Sequence, residues 1–279
     1  MNTTLHNTTP HNSTLHNVTL HNATLHKPIH MFSPEIIIKL IGVVAAFYGM
    51  AVHWEGLFSF TYFTNLSNLV MGCVLLYALV GKILLSCSQQ SCDASDSALH
   101  GLRACLRNTL QTQMWYRIKY MATLAISITF LLYLCFLAPT SQSGFIGAYL
   151  SHYASSLCTH FIAPLCAIVD FVWFDYRFNM QVSDVFWSLL PPFVYIGYVC
   201  VLSLVFGVRW KTVMLAPYNF LNFGAPCGWF GFDLSAANTY TLGIGVFYFV
   251  CVFTLIFMLI GLLFLKLIKR RAHHTSQNA

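Results

Sequence analysis

The chain has 279 residues, of which 57% are hydrophobic, 16% aromatic and only 8% charged. A soluble domain carries about 25% charged residues, so a water-solvated globular fold is excluded. The net charge of +6 follows from how basic residues sort across a bilayer and asks for no nucleic acid partner.

Residues 1–30 repeat with a period of five: NTTLH, NTTPH, NSTLH, NVTLH, NATLH, then KPIH. The segment is polar, low in complexity and too short to bury a core, so it is predicted to be a disordered tail. It lacks an apolar stretch, and no cleaved signal peptide is expected. Sequons begin at Asn2, Asn7, Asn12, Asn17 and Asn22, but they would be glycosylated only on a lumenal or extracellular tail. The histidines His6, His11, His16, His21, His26 and His30 offer weak ligands for a soft divalent metal. The plainer reading is a repeat expansion, and the fold is expected to need no metal or other cofactor.

Six apolar stretches follow, near 36–52, 58–85, 120–137, 151–174, 185–206 and 240–265. Each approaches or exceeds the ~20 residues that cross a ~30 Å hydrocarbon core. The expected architecture is all-α: a six-helix transmembrane domain over 31–270 and a short basic tail over 271–279. The second loop holds Lys82, Arg103, Arg107, Arg117 and Lys119; the fourth holds Arg177; the tail begins Lys266, Lys269, Arg270 and Arg271. The other loops hold only Arg209 and Lys211. Five plus one plus four against two is a positive-inside pattern, which places both termini in the cytoplasm. Trp54, Trp210 and Trp229 then fall at the outer interface, and Trp115, Trp173 and Trp187 at the inner one.

The second span opens with FTYFTNLSNL. Thr61, Thr64, Asn65 and Asn68 stand at i, i+3, i+4 and i+7 and share one helical face. Hydrocarbon does not solvate that face, so it must look into protein or water. In the loop that follows, Leu99, Leu102, Leu106 and Leu110 line one side of a short helix, with Arg103 and Arg107 on another. Such a helix lies on the membrane surface or in solvent. Most of the ten cysteines lie in spans, where they act as small hydrophobes, and no C-x-x-C motif occurs.

The fourth span carries His160 and, four residues later, Pro164. Proline cannot donate to the His160 carbonyl, so a bend is expected there. Spans two and four run in the same direction, which puts Thr64 and His160 at similar depth in the outer half of the bilayer. His53 and His152 sit near the same rim. Asp170 lies ten residues deeper and is expected near the inner boundary, paired with Arg177 or wet beside Asp175. The outer loop, 208–239, is rich in Gly, Pro and aromatics and is read as a lid or as a segment dipping into the interface. A Thr/Asn face also serves as hydrogen-bonding glue between helices, and a buried histidine as a satisfied core residue.

YFTNLSNLV, HFIAPLCAIVDFVWFD and PPFVYIGY…FG…APYNFLNFG, in that order, resemble a predicted six-transmembrane family found mainly in prokaryotes. That family is related to the androgen-induced membrane proteins of animals. The resemblance implies a six-helix bundle and a threonine hydrolase acting on fatty acid esters of hydroxy fatty acids. By motif, Thr64 is the implied nucleophile and His160 the implied base. Thr61, Asn65 and Asn68 would then be the polar groups of the pocket, with Asn65 or Asn68 as oxyanion donor. The implied partner is a membrane lipid or fatty acyl ester. The implied site is a multi-pass protein of a bacterial cytoplasmic membrane or a eukaryotic ER or plasma membrane. Two other classes stay open: a transporter or lipid-binding protein, and a structural or assembly factor. Few buried charges and no internal repeat are expected, which weighs against transport.

Overall fold

The computed structural model describes residues 33–87, 97–139, 141–175 and 178–277. The repeat tail and Arg177 lie outside them. The described chain forms α1 (Pro34–Val52), α2 (Phe63–Cys87), α3 (Ser97–Leu110), α4 (Gln113–Leu132), α5 (Gly144–Leu157), α6 (Ala163–Phe174), α7 (Leu190–Leu204) and α8 (Val246–Gln277). Wider π turns at Tyr133–Leu137 and Cys158–Ile162 extend α4 and join α5 to α6. Local chemistry sets several ends. Ser33 accepts the Ile36 N–H at 3.4 Å, and Pro34 occupies the first helical position, where a missing N–H is harmless. The Thr112 hydroxyl accepts the Trp115 N–H at 3.1 Å and starts α4.

Six helical segments are long and apolar enough to cross a bilayer: Pro34–Val52, Phe63–Ser86, Gln113–Cys135, Tyr153–Phe174, Val182–Leu204 and Val246–Gln277. No strand forms among the described residues. The chain is an all-α, multi-pass membrane protein, as the apolar stretches predict. Exposed Leu40, Val44, Val80, Leu255 and Leu262 make up part of its lipid-facing surface.

Close packing of α1 organises the bundle. Gly42, Ala45, Ala46 and Gly49 recur on one face, and small residues let helix backbones approach. A Cβ on Gly42 would sit 3.0 Å from the Cys166 Cβ, and one on Gly49 would sit 2.3 Å from the Thr159 Cγ2. Lys39 meets Asp170 at 2.5 Å. The pairs 39 with 170, 42 with 166 and 49 with 159 define an antiparallel register of α1 against α5–α6.

That register corrects the sequence reading of Asp170. The carboxylate is 0% exposed and does not sit wet at a boundary. It binds Lys39 of α1 and, at 2.6 Å, Lys119 of α4, which are 2% and 1% exposed. Lys119 also pairs with Asp175. Glu35 bonds Lys39 at 2.9 Å and Lys82 at 2.8 Å. Three lysines and three carboxylates therefore neutralise one another where α1, α2, α4 and α6 meet. Lys119 belongs to this core and not to a loop, and the expectation of few buried charges fails. A lone buried ion is costly, but paired ions offset much of the loss of hydration.

Candidate functional site

At the opposite end of the bundle, the polar stripe of the second span is split. Helix α2 begins only at Phe63. Residues Gly56–Thr61 form a 3-10 turn, and Tyr62 is extended, with ψ 133°. Thr61 therefore does not share a helical face with Thr64, Asn65 and Asn68. The buried Trp210 indole donates to its hydroxyl at 2.9 Å, and the Tyr195 hydroxyl donates to its carbonyl at 2.9 Å. Trp210 is 1% exposed, so it is a core residue and not an interfacial anchor. It fastens the 205–245 loop onto the start of α2. Asn65 serves the same junction: its amide donates to the Ser59 carbonyl at 2.9 Å.

Thr64 lies in the first turn of α2 beside Tyr218 from the loop. Burial raises the Tyr218 phenol above its ordinary range, and the Thr64 side chain with the N–H groups of Thr64 and Phe63 partly offsets this. Burial, the larger effect, favours the neutral phenol. No hydrogen bond joins Thr64 to His160.

Asn68 makes the link across to the fourth span. In the π turn the Ala163 N–H donates to the Cys158 carbonyl, five residues back. The Thr159 carbonyl, its usual α-helical acceptor, is thereby released, and Pro164 has no N–H to give to His160. The Asn68 amide donates to the released Thr159 carbonyl at 3.3 Å and to the Thr64 carbonyl at 2.9 Å. One buried side chain thus ties the turn bearing Thr64 to the turn bearing His160. A π turn therefore stands at the position where Pro164 led to the expectation of a bend.

The His160 ring stacks on Tyr133 with centroids 3.9 Å apart. Its Nδ1 and the Asn68 Oδ1 are buried without a hydrogen-bond partner. His53, at the end of α1, lies within electrostatic range of His160. Its Nε2 is 2.6 Å from the buried Ser155 hydroxyl. Ser155 was not among the residues singled out from sequence. The only signal for it was the run of small polar residues SHYASS inside an apolar span.

An open groove of about 320 Å³ lies elsewhere, lined by Phe186, Trp187, Leu189, Leu190 and Phe193. No nucleophile or charged group is among these lining residues. Among the described residues no cluster of three or more His, Cys, Asp or Glu is arranged to hold a metal. Comparison with protein-family models, curated proteins and solved structures yields no match.

Proposed function

We propose that this protein is a membrane-embedded hydrolase of lipid esters, with a side-chain hydroxyl as nucleophile and an imidazole as base. On the sequence resemblance, Thr64 attacks the ester carbonyl and His160 takes its proton. An acyl-enzyme forms, and water then releases the fatty acid. Asn68 spends both amide hydrogens on the Thr64 and Thr159 carbonyls, so Asn65 would be the oxyanion donor in this reading, an effect worth about 3 kcal/mol where one such donor has been removed. The bilayer delivers the substrate sideways, so no large aqueous cleft is needed. Both termini face the cytoplasm in this reading, in a bacterial cytoplasmic membrane or a eukaryotic ER or plasma membrane.

The observation that carries the reading is the Asn68 bridge together with the orphaned Asn68 Oδ1 and His160 Nδ1. A buried polar atom without a partner costs about 1–3 kcal/mol, a cost that a reacting group or ligand would offset. The test is turnover of a fatty acid ester of a hydroxy fatty acid by the purified protein in nanodiscs. Hydrolysis that falls at least about 100-fold in Thr64→Ala or His160→Ala supports the assignment. Ester turnover at the background rate by the unaltered chain overturns it.

A transport reading is favoured by one specific observation, the buried Lys39–Asp170–Lys119 array. Intramembrane ions often line solute or proton paths. Solute flux in proteoliposomes that survives Thr64→Ala and is lost in Asp170→Asn would select it.

A further inference from the structure

The Ser155 hydroxyl lies 2.6 Å from the His53 Nε2, and the backbone around it is strained. Tyr153 and Ala154 adopt φ 56° and 60°, in the left-handed region that bulky side chains rarely enter. Such residues persist only where their surroundings hold them. Here the Tyr48 hydroxyl donates to the Tyr153 carbonyl at 2.9 Å. On the other side, Gly49 lets α1 pack against Ser155: a Cβ there would stand 3.1 Å from the Ser155 carbonyl and far inside contact with Thr159. The chain thus breaks helical geometry at the two residues that precede the hydroxyl. Tyr153, two residues before the buried Ser155, is 85% exposed, so the break itself reaches the protein surface.

We propose that Ser155 and His53 form a nucleophile–base pair at the same end of the bundle, distinct from Thr64 and His160 and acting on the same class of lipid ester. This rests on the hydrolase reading above. In the tautomer with its proton on Nδ1, His53 accepts the Ser155 hydroxyl proton at Nε2 as Oγ attacks the ester carbonyl carbon. The bond to the alkoxy group then breaks, and that group takes the proton from His53 and leaves as the alcohol. Water attacks the acyl-serine, passing one proton to His53. The Oγ–acyl bond breaks, Ser155 recovers the proton, and the fatty acid departs.

The test is covalent trapping of the unaltered full chain in nanodiscs by a fluorophosphonate carrying a long alkyl chain, followed by peptide mass spectrometry. The expected adduct is on Ser155, with its rate of formation reduced at least about 100-fold in His53→Gln, the scale of a lost general base. An adduct on Thr64 and none on Ser155 overturns this pair and leaves the hydrolase reading standing. No adduct and no ester turnover overturns both. Mapping on the unaltered chain gives the answer even where Ser155→Ala fails to fold.

Discussion

Replacing Asp170 by asparagine keeps the shape of the side chain and removes the one carboxylate that touches both Lys39 and Lys119. Lys39 would retain Glu35, and Lys119 would retain Asp175, but the buried array would carry three cations against two anions. Breaking a buried pair by deleting one partner costs about 3–5 kcal/mol. A chain of roughly 150–250 residues loses about 2–4 °C of Tm per kcal/mol, so Asp170→Asn should melt about 6–20 °C lower. Thermal unfolding of the protein in detergent, followed by helical circular dichroism, reads this directly. The double variant Lys39→Met with Asp170→Asn restores balance: Lys119 keeps Asp175, and Lys82 keeps Glu35. It should recover at least half of the loss. An Asp170→Asn variant melting within about 2 °C of the unaltered chain, or a double variant no better than the single one, would refute the ion-pair account.

Gly49→Val places atoms where the Thr159 methyl already stands, and overpacking of this kind costs about 1–3 kcal/mol. Its Tm should fall by several degrees, whereas Gly101→Ala, which meets open space on α3, should leave it unchanged or slightly raised. Trp210→Phe removes the donor to the Thr61 hydroxyl, a bond worth about 1 kcal/mol, and should loosen the 205–245 loop. Limited proteolysis checks this, with faster cleavage in that loop as the expected outcome. Asn68→Leu leaves the Thr159 carbonyl without its side-chain donor and should lower both Tm and ester turnover, each read against the unaltered chain. The charge pattern predicts that a C-terminal tag is reached by antibody only after the cytoplasmic side is opened; labelling of intact cells would reverse the topology.

The number of spans and the all-α class were legible from composition and from the length of the apolar stretches, because a bilayer leaves a chain few ways to satisfy its backbone. The same physics required Thr64, Asn65 and Asn68 to avoid lipid and flagged a bend near Pro164. Pattern alone extended the stripe to Thr61, since period 3.6 carries no sign that Tyr62 would be extended or that Trp210 would claim the Thr61 hydroxyl. Lys39 with Asp170, 131 residues apart, was out of reach for a related reason. Which residues meet between helices depends on the register and rotation of their packing. One step along a helix turns a side chain by about 100°, so spacing within a single span says little about its partner in another. The same holds for Ser155 and His53, which α1 and the break in α5 bring within 2.6 Å of each other. Hydropathy determined what crosses the membrane; the small-residue face of α1, by setting the packing register, decided which polar groups meet inside it.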